Sequence, residues 1–168
     1  MKINKITIKL PRSLESIDKF FVNCQKRKKL LEDTENHHEK HLKKAKHDLT
    51  RAIAEFQDDC WDWTIVKAYY ALHHAGNALL SFRKKEFSKD HSCLVIALKK
   101  YNLITEELFE QLTSLNEKFS DILSLDMAFQ LRKISQYSVD EWDSLTKQDA
   151  ELILNLAKKF VSYVEEKL

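Results

Sequence analysis

Apolar residues recur every three to four positions along most of the chain, the spacing that gathers side chains on one face of an α-helix. The clearest case is Ala68–Leu80, AYYALHHAGNALL. At about 100° per residue, Ala68, Leu72, Ala75, Leu79 and Phe82 fall on one stripe, and Val66, Tyr69, His73, Gly76 and Leu80 on the next. Lys67, Tyr70, His74, Asn77 and Ser81 are left as a narrow polar arc. A helix apolar over most of its circumference is packed on several sides. The pattern therefore predicts a central helix whose polar arc is the first place to look for function. Gly76, the only glycine of the chain, stands inside it at a cost of about 1 kcal/mol relative to Ala, which implies close approach by a neighbour.

The same reading sets out the other elements. Ile3–Leu10 is partly alternating and β-branched and is ended by Pro11, so it reads as a short strand or extended arm that pairs with a second copy or lies on the bundle. Ser13 is placed to cap a helix carrying Leu14, Ile17, Phe21, Cys24 and Leu31, with a break or bend at Asp33–Asn36. A long helix carries Leu42, Ala45, Leu49, Ala52, Ile53 and Phe56, and Asp58 to Trp63 turns the chain into the central helix. Asp90 or Ser92 caps a helix through Leu94 and Leu98, and Thr105 opens one with Leu108, Phe109, Leu112 and Leu115. A further apolar run covers Phe119–Tyr137, and Thr146-x-x-Asp149 reads as a capping box for a last helix through Leu168.

Composition narrows the class to all-α: one Gly and one Pro among 168 residues leave little material for hairpins. The length suits one domain with a sizeable core and room for an appended segment. The net charge of +2 hides an asymmetry, because residues 1–100 carry 21 basic against 13 acidic side chains and residues 101–168 carry 7 against 13. Such a split suits a nucleic-acid face or complementary surfaces within an oligomer. Lysines interrupt MKINKITIKLP, which argues against a signal peptide, and no apolar run approaches the roughly 20 residues of a membrane span. A soluble, cytoplasmic protein with no membrane contact is expected. Cys24, Cys60 and Cys93 are odd in number and form no CxxC pair, so reduced cysteines are expected.

Candidate chemistry is sparse. His37-His38-Glu39-Lys40-His41 places His37 and His41 one helical turn apart, but it is not HExxH, and its lysines repel a cation. A solvated helix face is expected there, and no metal or cofactor is called for. Lys26–Lys29, Lys40/Lys43/Lys44/Lys46 and Arg83–Lys85 are basic clusters without interleaved aromatics. His73 lies on the apolar flank and reads as a hydrogen-bonded core histidine. His74 shares the polar arc with Tyr70 and Asn77 and is the better site candidate. Arg132, among Leu125, Phe129 and Gln136, needs a partner: an internal acid such as Asp126, or a bound anion.

From about His41 to the C-terminus the chain resembles the HEPN domain family. The resemblance rests on HLKKAKHDLTRAIAEF, on AYYALHHAGNALLSF against a YYA-x-x-HA-x-x-ALL helix, and on Ser88-Lys89-Asp90-His91-Ser92 against a K-x-H-S turn. It extends to Leu131–Tyr137, similar to an R-x-x-A-x-Y segment, and to the last helix. It implies an up-and-down bundle of four to five antiparallel helices over residues 41–168, commonly a homodimer, with residues 1–40 as an N-terminal arm and extra helix. Many relatives are metal-independent ribonucleases, often toxins paired with a nucleotidyltransferase antitoxin. Their R-x4–6-H motif supplies an Arg for phosphate and a His as general acid or base. Here Arg132 is followed five residues later by Tyr137, and no His follows it in the chain. A phenol titrating near 10 is a poor base at neutral pH, which favours binding over catalysis. Arg132 and Tyr137 remain the catalytic candidates, and Arg132, Tyr70, His74, Asn77 and His91 the ligand-binding ones. The expected function is that of an accessory protein that binds nucleotide or RNA alongside a nucleotidyltransferase-type partner in a toxin–antitoxin or defence module. The alternatives are an active metal-independent ribonuclease toxin, with His74 or His91 supplying the imidazole, and a non-catalytic homodimeric interaction module.

Overall fold

The structure, a computed structural model, describes residues 9–119 and 145–168. Six helices occur among them: α1 (Leu14–Lys26), α2 (His38–Gln57), α3 (Trp61–Lys84), α4 (His91–Lys100), α5 (Glu106–Lys118) and α6 (Lys147–Lys167). Two short strands, β1 (Leu30–Glu32) and β2 (Glu86–Ser88), pair antiparallel with Leu31 opposite Phe87. The class is all-α, as the periodicity implies. The Ile3–Leu10 arm and the Phe119–Tyr137 run fall largely or wholly outside the described residues.

Caps set most boundaries. The side chains of Ser13, Asp90 and Thr105 each accept a backbone N–H of the first turn, from Ser16, Cys93 and Leu108. Thr146 and Asp149 close a reciprocal capping box. The tight turn after α2 uses Asp59 at φ 57°, the left-handed region that Asp tolerates.

The central helix is longer than its sequence pattern suggests, starting at Trp61, and fourteen of its residues are buried. α2 runs antiparallel to it across the short turn. α2 also packs on α6, where Lys46, near the middle of α2, meets Glu165 near the end of α6 at 2.6 Å. α3 and α6 end together, and Arg83 Nη2 donates to the Lys167 carbonyl at 3.1 Å. Where Gly76 passes α4, a Cβ would lie 3.0 Å from Leu94 Cδ2 and 3.3 Å from Leu98 Cδ1, which is the close approach that its sequence position implies.

Two expectations are corrected. The first helix does not reach Leu31: it ends at Lys26, and Lys28 takes φ 53° to turn the chain into β1. The cysteines are not all reduced, because α1 packs against α4 and brings Cys24 and Cys93 to a Cα separation of 5.8 Å, where they form a disulfide. Cys60 is free. Among the described residues no helix is long and apolar enough to cross a membrane.

Candidate functional site

The polar arc of α3 does not face solvent along its whole length. Its lower half is sealed by residues that precede α2. Asp33 is 4% exposed and accepts from Ser81 Oγ, from the His37 N–H at 2.8 Å and from the Glu35 N–H at 3.3 Å. His37 Nδ1 lies 2.8 Å from the same carboxylate. Burial alone would raise the Asp33 carboxyl, but these donors together hold it well below the usual carboxylate range. It fixes the start of α2 against α3.

Asn77 is 2% exposed and acts as a clasp. Its Nδ2 donates to the Ser88 carbonyl and its Oδ1 accepts the Ser88 N–H, both at 2.8 Å. With its amide engaged in this way, its part in the site is to set β2 and so to place Phe87. Ser88 Oγ in turn donates to the Lys29 carbonyl at 2.7 Å, tying β2 to the turn between α1 and β1.

Above this base, His37, Lys40, His41, Lys44, His74 and Phe87 line an open cavity of about 390 Å³. His41 from α2 and His74 from α3 meet across it, Nδ1 to Nδ1 at 3.2 Å with stacked rings 5.5 Å apart. Phe87 supplies an aromatic wall 6.4 Å from the His41 ring. Tyr70 stacks on the far side of His74 at 6.5 Å, with the Lys44 and Lys67 ammonium groups each 6.0 Å from its ring. Lys44 is held at 2.6 Å by buried Asp48. Burial pushes His41 down to about 4, helped by neighbouring His74 and opposed by Asp33. Burial also lowers His74, with Asp48 opposing and Lys44 reinforcing. Both rings are neutral at pH 7, each with one donor and one acceptor.

A family model described as the HEPN domain matches residues 38–167. The chain belongs to the HEPN family. Its matched region begins with the first residue of α2, so α1 and β1 lie outside it and pack onto the HEPN bundle from before it. No curated protein matches the chain closely enough to name a relative.

The candidate residues are distributed unevenly over this HEPN fold. His74 lines the cavity and Tyr70 adjoins it, whereas Asn77 sits beneath it. His91 is elsewhere, 8% exposed at the start of α4, with its ring 4.7 Å from Tyr69 and 6.2 Å from His73. Neither of its nitrogens has a hydrogen-bond partner among the described residues, and burial lowers it to about 4. His73 contacts Asn77 through Nε2 at 3.2 Å, in keeping with a core role. Arg132 and Tyr137 lie outside the described residues.

The His37–His41 stretch is corrected from a plain solvated face, since His37, Lys40 and His41 line the cavity. Sequence reasoning missed them, along with Phe87 and Asp33. The signal was present in the spacing: His37, Lys40, His41, Lys44 and Asp48 make one polar stripe along α2, and it faces the polar arc of α3. Among the described residues no three metal-binding side chains converge to hold an ion. Two lysines, three imidazoles and one aromatic wall suit an anion carrying a flat ring.

Proposed function

We propose that this HEPN protein is an accessory module that binds nucleotide or RNA in the α2–α3–β2 cavity. It would act as a homodimer beside a nucleotidyltransferase-type partner in a toxin–antitoxin or defence module. One observation carries the reading: Lys40, Lys44, His41 and His74 surround one cavity with Phe87 on its wall. The lysines supply phosphate attraction, the imidazoles supply short-range donors, and Phe87 offers a stacking surface for a base. The excess of basic residues before position 100 supports the same partner class. Arg132 remains the sequence candidate for a second anion contact.

The test is fluorescence anisotropy with labelled single-stranded RNA and with 5′-AMP as competitor. Lys40→Ala and Phe87→Ala should each weaken binding at least fivefold, and binding should fall with salt. Unchanged affinity in both variants would refute the cavity as the site. RNA left intact without added metal agrees with an accessory role. Cleavage abolished by Arg132→Ala would promote the ribonuclease reading in its place. Light scattering at tens of micromolar, a range suited to modest interface affinity, should give the mass of a dimer, and a monomer would remove that part of the proposal.

A further inference from the structure

The Nδ1 atoms of His41 and His74 face each other at 3.2 Å. That contact requires one Nδ1 to carry hydrogen and the other to accept it. In the neutral pair, the donating ring then has a bare Nε2, while the accepting ring carries its proton on Nε2. A ligand reaching both Nε2 edges meets one donor and one acceptor, whereas an anion calls for two donors. Adding one proton to the bare Nε2 makes that ring an imidazolium that still donates its Nδ1–H to its neighbour. A second proton would set two Nδ1–H groups against each other and break the contact. While the rings stay together, the pair therefore has room for one extra proton.

The surroundings decide what draws that proton in. On α2 the pair has Lys40, Lys44 and Asp48 as neighbours, on α3 Lys67, Tyr70 and His73, before α2 Asp33, Glu35 and His37, and on β2 Glu86 beside Phe87. Each acid has a partner, Asp33 in Ser81 and His37, Asp48 in Lys44, Glu35 in His37 at 3.0 Å, and Glu86 in the Tyr101 hydroxyl at 2.8 Å, while Asp48 Oδ2 and Glu86 Oε2 have none among the described residues and Asp48 favours a proton on His74. The N-cap residue of α2, His37, makes no side-chain bond to the first-turn N–H groups, so the positive end of a twenty-residue helix opens beside the cavity. At about 390 Å³ the cavity is at the small end for ligand sites. That volume is enough for one nucleotide.

We infer that the His41–His74 pair is the seat of a dianionic terminal phosphate, carried by a mononucleotide or a phosphorylated RNA end, and takes up one proton from solvent as the phosphate binds. The proton enters on the free Nε2 and leaves with the ligand. The inference deepens the proposed function and rests on its reading of this cavity as a nucleotide site.

Inorganic sulfate is the first probe, because it remains a dianion from pH 5.5 to 7.5 and any pH dependence belongs to the protein. Titration calorimetry on the full chain should show sulfate affinity rising by up to about tenfold for each unit the pH falls. Buffers of different protonation heat should show uptake approaching one proton per site. His41→Gln and His74→Gln should each flatten the pH dependence, while Lys40→Ala weakens sulfate several-fold at every pH and keeps the slope. At pH 7.5, 5′-AMP bound at least tenfold more tightly than adenosine identifies a mononucleotide ligand. An oligoribonucleotide favoured over its 5′-hydroxyl form by its 5′-phosphate identifies an RNA end. Equal binding with and without phosphate in both arms overturns the inference, as does wild-type sulfate binding that is absent or independent of pH. RNA binding that survives such a result leaves the proposed function standing. Proton-linked sulfate binding without any RNA or nucleotide binding removes the proposed function instead.

Discussion

Asn77→Leu tests the link between fold and site most directly. Leucine is close to asparagine in shape but offers no hydrogen bonds, and position 77 is 2% exposed. The Ser88 N–H and C=O would each lose a 2.8 Å bond while Ser88 stays 1% exposed, out of reach of water. Each orphaned buried backbone group costs about 1–3 kcal/mol. The pair sums to roughly 2–6 kcal/mol, and the extra apolar burial at 77 returns about 1 kcal/mol of it. A net loss of about 1–5 kcal/mol should appear in urea unfolding followed by far-ultraviolet circular dichroism. Asn77→Asp keeps the acceptor for the Ser88 N–H but turns a carboxylate oxygen toward the Ser88 carbonyl, so it should not rescue stability. Because β2 carries Phe87, nucleotide affinity should fall even where the Asn77→Leu protein remains folded. A stability change under about 0.5 kcal/mol in Asn77→Leu would refute the clasp.

Three further predictions concern stability. Gly76→Ala gains about 1 kcal/mol of helix propensity but sets a methyl 3.0 Å from Leu94, which is 1% exposed and cannot swing into solvent. Overpacking of about 1–3 kcal/mol should win, and combining it with Leu94→Val should recover most of the loss in a double-mutant cycle. Acid should unfold the protein in two stages visible as falling urea midpoints. His91, neutral in the fold with its value lowered from 6.5 to about 4, leaves the unfolded chain holding the extra proton between those values. Stability therefore drops through that window by up to roughly 3 kcal/mol. The depressed Asp33 carboxyl adds a further loss below pH 4, and His91→Gln should shrink the first stage without abolishing it, because buried His41 and His73 are lowered through the same window. Reducing Cys24–Cys93 with dithiothreitol should cost about 2–4 kcal/mol, since the bond spans 69 residues, and trypsin should then cut sooner at Lys26–Lys29; an unchanged melting temperature and cleavage rate would argue against the bond.

What could be read in the sequence was whatever depends on near neighbours. Helical periodicity marked α2 through α6, and the caps at Ser13, Asp90, Thr105 and Thr146 are local chemistry between residues three apart. The β1–β2 pair was not legible, because LLE and EFS are too short to show alternation and their pairing leans on Asn77, which lies outside the strands and holds Ser88. The Cys24–Cys93 bond was hidden for a similar reason: only the packing of α1 on α4 brings the two sulfurs together. For the site, His74 stood out on its arc. His41 was weighed only for the metal chemistry of its own segment, whereas its partner is 33 residues away on the next helix. Spacing along one helix shows a stripe, but it does not show which stripe it will meet.

The division of labour between the matched region and the segment before it follows from these contacts. The HEPN bundle supplies His41, Lys40, Lys44, His74 and Phe87, and its Asn77–Ser88 clasp makes part of the floor beneath them. Asp33 comes from the preceding segment and joins the Ser81 hydroxyl on α3, while its backbone N–H bonds the Lys85 carbonyl at 2.7 Å. β1 extends that junction along β2, and Lys29 and Cys24 anchor the other end to Ser88 and α4. These attachments reach α3, β2 and α4, and His37 itself lies on the cavity wall. Loosening the preceding segment should therefore lower ligand affinity before it lowers helix content. Asp33→Asn is the test: it keeps the shape but weakens the charge-assisted bonds from Ser81 and His37. A loss of nucleotide or sulfate binding with the helical signal intact is the expected result. Affinity equal to wild type at full occupancy of the fold would mean that the bundle holds its site unaided.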